Sequence, residues 1–98
     1  MEKVIRDGKV AVAVAKGYGC GWSTSNDVSP MDARYNLLFL ERRFEEIQRL
    51  CEEEGLNPAD GIYQVKIKWV PVGSRFIIQE YDGSEEIAFF EDFKWLEA

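Results

Sequence analysis

Residues 9–15 read Lys-Val-Ala-Val-Ala-Val-Ala, and no other stretch restricts the fold as tightly. The alternation sends Val10, Val12 and Val14 to one side and Ala11, Ala13 and Ala15 to the other, which is the period of a β-strand. Both sides are apolar, so both must be covered, and the strand belongs in the middle of the fold. The alanine side is thin and lets a helix or a second backbone approach closely. The strand runs straight into a glycine-aromatic loop, Gly17-Tyr18-Gly19-Cys20-Gly21-Trp22-Ser23-Thr24.

A helical pattern follows. Ser29-Pro30-Met31-Asp32 has the chemistry of a helix start, with a capping hydroxyl, a proline suited to the first helical position and an acid at the positive end of the dipole. Ala33, Leu37, Leu40, Phe44, Ile47 and Cys51 then recur at spacings of three and four, one apolar face of a single long helix. Arg42 with Glu46 and Glu45 with Arg49 are spaced for i,i+4 pairs on the opposite face. Gly55 predicts a left-handed end to the helix, with Leu56 folding back and Pro58 preventing continuation.

Beyond Asp60-Gly61, residues 62–70 alternate as a half-buried strand, with Tyr63, Val65, Ile67 and Trp69 on one face and Gln64, Lys66 and Lys68 on the wet one. Arg75 to Tyr81 and Ser84 to Phe90 flank Asp82-Gly83, a type I′ hairpin signal. That register sets Phe76 against Phe89, Ile78 against Ile87, and Glu80 against Glu85. Phe93 to Leu96 reads as a short last strand. The expected fold is therefore α+β, one domain over residues 1–98, with an N-terminal strand, one long amphipathic helix and a C-terminal antiparallel meander of three to four strands.

Composition narrows the chemistry. The chain has 98 residues, a net charge of −6 and no histidine, so the commonest general base and metal ligand are missing. The acidic balance, with scattered basic residues, disfavours long nucleic acid. No apolar run approaches the roughly 20 residues that span a bilayer, and the N-terminus lacks the apolar core of a signal peptide, so a cytoplasmic protein is expected. Two cysteines, Cys20 and Cys51, make no disulfide framework. Cys20 is followed six residues later by Asn26 rather than the arginine of a cysteine phosphatase. Together these features point away from catalysis, and no metal or cofactor is implied.

The glycine loop is the leading candidate site. Glycines leaving a strand bring backbone N–H groups close to a ligand and form an anion-binding nest. Tyr18 and Trp22 offer rings for stacking, and Ser23 and Thr24 offer hydroxyls. The Gly-x-Gly-x-Gly spacing resembles part of a dinucleotide fingerprint, but no helix starts within the loop and no βαβ repeat follows, so a Rossmann domain is excluded. A Walker loop is excluded because no Gly-Lys-Ser/Thr occurs. Arg34 and Arg75 are candidates to neutralise an anionic ligand, with Lys16 beside the loop. Glu80 and Glu85, like charges directly opposed, imply a shifted register or a purpose such as hydrogen-bonding a ligand. Ile77 and Phe90 point away from Phe76 and Phe89, so the second face of the hairpin is left for another subunit, and a homodimer is expected.

Two segments together resemble a known pattern. Gly17, Tyr18, Gly19, Gly21, Trp22, Ser23 and Thr24, then Val70, Pro71, Val72, Gly73 and Phe76, then Glu80, Tyr81, Asp82, Gly83, Ser84 and Glu85 are similar to motifs of a family of small bacteriophage proteins. The central helix matches poorly, and Cys20 stands where a smaller residue is expected. The resemblance implies a phage accessory protein acting in the host cytoplasm. The ligand set expected from the residues is Gly17, Tyr18, Gly19, Gly21, Trp22, Ser23, Thr24, Arg34, Arg75 and Glu80. They would bind a small nucleotide-type ligand, such as a host defence signal, without catalysis. The alternative is an acidic protein-interaction module that blocks a basic site on a host protein, with its carboxylates imitating phosphates.

Overall fold

The computed structural model describes residues 1–17, 19, 21–57 and 62–90. Tyr18, Cys20, the Asp60-Gly61 turn and the strand expected over Phe93 to Leu96 lie outside the described residues. The fold is α+β. Its elements run β1 (Ile5–Arg6), β2 (Lys9–Ala15), α1 (Ala33–Glu41), α2 (Phe44–Glu54), a 3-10 turn (Ile62–Gln64), β3 (Val65–Pro71), β4 (Phe76–Tyr81) and β5 (Ser84–Phe89).

β2 is the middle strand of an antiparallel sheet ordered β1-β2-β3. β3 pairs along its whole length, from Lys9 opposite Pro71 to Ala15 opposite Val65. β1 is a short strand turned back through Asp7 and Gly8, both in the left-handed region (φ 52° and 74°). That Asp-Gly pair is the same hairpin chemistry as Asp82-Gly83.

Each face of β2 has its own cover. Ala13 and Ala15, with Val65, pack under Trp22, Tyr35, Phe39, Ile47 and Cys51, so the thin alanine side does admit the helices. Val12 and Val14, with Val70, pack against Phe76, Ile78, Ile87 and Phe89 of the β4–β5 hairpin. Here the expected meander is corrected. β3 does not continue into β4 in one sheet; the hairpin forms a second, two-stranded sheet. Pro71 lacks the N–H that would extend the ladder, and the turn at Gly73 (φ 86°) redirects the chain across the valine face. Fully burying Val12 and Val14 is worth about 1.5–3 kcal/mol each, so a hairpin laid over them is favoured over one left beside them. The hairpin's inner face therefore meets the sheet and not a helix.

The single long helix is also corrected. Arg42 adopts φ 55°, ending α1, with its backbone N–H donating to Leu38 O and Phe39 O, and α2 restarts at Phe44. The break resets the helical phase. Ile47 and Cys51 are buried as their spacing predicts, but α1 buries Tyr35, Asn36 and Phe39 beside Ala33, while Leu37 is exposed. It also gives Glu46 to Arg43 (2.7 Å), and Arg42 lies over the Phe44 ring. The α1 cap is Asp32, whose carboxylate accepts from the Arg34 N–H at 2.9 Å; Ser29 instead accepts from Met31 N–H in the preceding turn. Gly55 ends α2 as expected (φ 72°), and the Leu56 N–H reaches back to Cys51 O at 2.8 Å.

Candidate functional site

The edge of β2 that faces away from β3 organises the candidate site. In an antiparallel strand, alternate residues turn their backbone groups to opposite edges. On this edge the N–H groups of Ala11, Ala13 and Ala15 each find an acceptor outside any full-length strand. Ala11 N–H donates to Val4 O (2.9 Å), Ala13 N–H to Pro30 O (2.8 Å) and Ala15 N–H to Glu85 Oε1 (2.8 Å). Buried Asn36 adds its side-chain amide, donating to Ala11 O and Pro30 O at 3.0 Å each.

Glu85 is fully buried. Its second oxygen accepts from Thr24 N–H (3.0 Å) and from the Thr24 hydroxyl (2.6 Å). One carboxylate thus stands where a neighbouring strand's carbonyl would, and ties the glycine loop to β2. Gly21 makes this possible, because a Cβ there would sit 2.8 Å from Glu85 Oε2 and 2.3 Å from Thr24 Oγ1. The hairpin register is as expected, with Glu80 opposite Glu85. Their repulsion is avoided because the two carboxylates diverge: Glu85 turns inward, and exposed Glu80 accepts from Gly83 N–H at 2.6 Å.

The loop and the hairpin tip meet directly. Gly19 N–H donates to Asp82 O at 2.8 Å. Asp82 and Gly83 have φ of 50° and 86°, the type I′ turn, and a Cβ on Gly83 would fall 1.8 Å from Gly19 O. The two motif segments therefore form one structural unit. Inside the loop, Gly21 N–H donates to Ser25 Oγ (3.0 Å), and the Asn26 side-chain amide donates to Trp22 O (3.1 Å).

These bonds change what the loop can do. The N–H groups of Gly19, Gly21 and Thr24, which an anion nest would need, are spent within the protein. Trp22, expected as a stacking ring, is core: it is 2% exposed and meets Tyr35 and Phe39 edge-on at centroid distances of 5.1 and 5.3 Å. Its indole N–H has no partner among the described residues. Gly17 lies against the Gln64 side chain. Ser23 is half-buried.

The predicted arginines lie elsewhere. Arg34 is bound to Asp32 (2.9 Å) and Glu54 (2.7 Å) on the helical layer. These two carboxylates hold its guanidinium above its ordinary, already high, pKa. In turn, the Tyr35 hydroxyl and Arg34 lower the Glu54 carboxyl below its usual range. Burial pushes the Asp32 carboxyl up, but the hydrogen bonds from Arg34 outweigh it and leave the group lowered. Tyr35 donates to Glu54 Oε1 at 2.5 Å, and burial drives its phenol well above the ordinary tyrosine value. Burial likewise raises the Cys51 thiol, which removes it as a nucleophile near neutral pH. Arg75 precedes β4, so the strand sets it about 17 Å of extended chain from Glu80 at the tip.

Two adjoining clefts mark the hairpin instead. One of about 630 Å3 at the tip is lined by Gln79, Glu80, Tyr81, Ser84 and Glu86. A second of about 330 Å3 lies between β5 and β3 and is lined by Lys16, Lys68, Trp69, Val70, Glu86, Ile87 and Phe89. Glu86 borders both. Of the described members of the expected set, only Glu80 lines a cleft here. Tyr81, Ser84 and Glu86 were readable as outward-facing positions of the hairpin alternation, and Lys68 as the wet face of β3. The acidic residues do not share a face: Glu52 and Glu53 end a helix on the alanine side of the sheet, Glu86 lies on the hairpin over the valine side, and Glu85 is buried.

Among the described residues no group of acids, cysteines or histidines is arranged to hold a metal ion, and no helix is long and apolar enough to cross a membrane. The chain matches no family model, no curated protein and no solved structure.

Proposed function

We propose that the protein is a non-enzymatic binder of a small nucleotide-type ligand, held at the hairpin tip and not inside the glycine loop. The observation that carries this reading is Glu86, shared by a polar cleft bearing Tyr81 and Glu80 and by a cleft bearing Lys16 and Lys68. Tyr81 is 77% exposed and serves as a platform for a base. Glu80 and Glu86 accept from ribose hydroxyls or base amino groups, and the two lysines meet phosphate. The glycine loop is the scaffold that fixes the tip. Sequestering a nucleotide signal of host defence is the role that fits a phage accessory protein. Blocking a host protein through an acidic face has less support, because the carboxylates are divided between opposite layers.

Isothermal titration against cyclic dinucleotides and ADP-ribose tests the reading. Binding by at least one, weakened tenfold or more by Tyr81→Ala and by Lys16→Glu, is expected. No heat with any of them, or binding indifferent to both substitutions, would overturn it.

A further inference from the structure

The free edge of β4 is a second surface, which meets the tip cleft at Gln79 and Glu80. The Phe90 N–H donates to Arg75 O (3.0 Å), which sets the alternation of the hairpin ladder. Odd-numbered backbone groups of β4 turn toward β5, and those of Phe76, Ile78 and Glu80 turn outward. Among the described residues no strand pairs with that edge. A groove of about 510 Å3 runs along it, lined by Pro30, Met31, Phe76, Ile77 and Ile78 among others. Phe76 and Ile78 belong to the inner face of the hairpin and Ile77 to the outer, so a groove touching all three follows the strand edge itself. Ile77, on the outer face, is 46% exposed.

We infer that this edge pairs with the same edge of a second copy, antiparallel about a two-fold axis, to give a four-stranded sheet across a homodimer. Charge favours this partner. Centred on Ile78, the pairing sets Ile78 against its own counterpart and Glu80 against Phe76, with no like charges opposed. Of the other outer edges, β1 is only two residues long and β5 borders the cleft toward β3; β3 behaves differently, because centred on Ile67 self-pairing would set Lys66 against Lys68, which is unfavourable. Lysines on an exposed edge also discourage pairing in general. The β4 edge is thus both apolar and compatible with itself.

The test combines sedimentation with residue-resolved amide exchange. At about 100 µM the chain should sediment as two copies, and dilution should dissociate it by mass action. The amides of Phe76, Ile78 and Glu80 should gain protection with concentration, while those of Ile67 and Trp69 should not. Ile77→Lys should shift the protein to monomer and abolish that gain, with an unchanged circular dichroism spectrum to show that it folds. A monomer at that concentration, or a dimer that protects the β3 amides, overturns the proposal. So does protection at 76, 78 and 80 that does not change with concentration, which would make the occupant a segment of the same chain. Because Ile77 lines neither tip cleft, loss of the dimer and loss of ligand binding are separate results.

Discussion

Removing the Glu85 carboxylate should loosen the glycine loop and one end of β2 together. In Glu85→Ala, three donors lose their acceptor, but not at equal cost. The Ala15 N–H is buried, so leaving it without a partner costs about 1–3 kcal/mol. Thr24 is exposed, so its two donors recover water, and their lost bonds count about 0.5–1 kcal/mol each. Relief from burying a charge offsets part of this, and the expected net loss is about 3 kcal/mol. For a domain of this size that lowers Tm by roughly 12–24 °C. Glu85→Gln should cost about half as much: its amide oxygen still serves Ala15, the Thr24 hydroxyl rotates to accept from the new amide, and only the Thr24 N–H faces a donor. Urea unfolding gives the energies, and exchange at the Ala15 amide locates them, with protection lost in Glu85→Ala and kept in Glu85→Gln. A Glu85→Ala protein within about 0.5 kcal/mol of the parent, or one whose Ala15 amide stays protected, refutes the reasoning.

Four further outcomes are expected. Trp22→Ala should destabilise by about 3–5 kcal/mol in chemical denaturation, as a core residue does, where a surface stacking ring would cost almost nothing. Gly83→Ala and Gly8→Ala share the left-handed strain of about 1–2 kcal/mol, but only Gly83→Ala also drives a Cβ into Gly19 O, so its denaturation midpoint should fall clearly further. Stability should decline in alkali, because the buried Cys51 thiol and Tyr35 phenol keep their protons in the folded state while the unfolded chain loses them above about 9.0 and 10.0; the contribution is complete below those values and falls as pH rises past them, which pH-dependent urea melts would show. In acid the sign reverses: Asp32 and Glu54, lowered in the fold, add stability above the ordinary carboxylate range that is lost as pH falls, so Arg34→Met should flatten the acid limb of the same melts.

Much of the fold was legible because it rests on local rules. The β2 alternation, the Gly55 cap and the Asp82-Gly83 register each follow from a few adjacent residues. The helix break was not legible, because Arg42 is neither glycine nor proline and its left-handed backbone comes from packing two helical segments on one sheet face. The split of the meander was partly legible in Pro71 and Gly73, which end a strand without saying where the chain goes next. At the site, the opposed Glu80 and Glu85 were visible from register, and Glu85 shares its face with buried-side Ile87 and Phe89. What one strand cannot show is that an unpaired N–H of β2 waits for that carboxylate. Trp22 misled for a related reason: a ring beside glycines reads as a binding platform until the helix that covers it is known.

The clamp between Ala15 and Glu85 closes over 70 residues of chain. β2 is made early, yet its full-length partner β3 and its valine-side cover arrive only in the last third of the sequence. Contacts this distant form late, because the intervening chain must first be ordered. During synthesis the most apolar strand of the protein therefore waits, its valine face uncovered, until the final hairpin emerges. Such a chain depends on fast completion or on a chaperone that shields residues 9–15. In pulsed exchange during refolding, the Ala15 amide should be among the last to gain protection, after α1 and α2; protection in the first phase would show that the loop closes without its clamp.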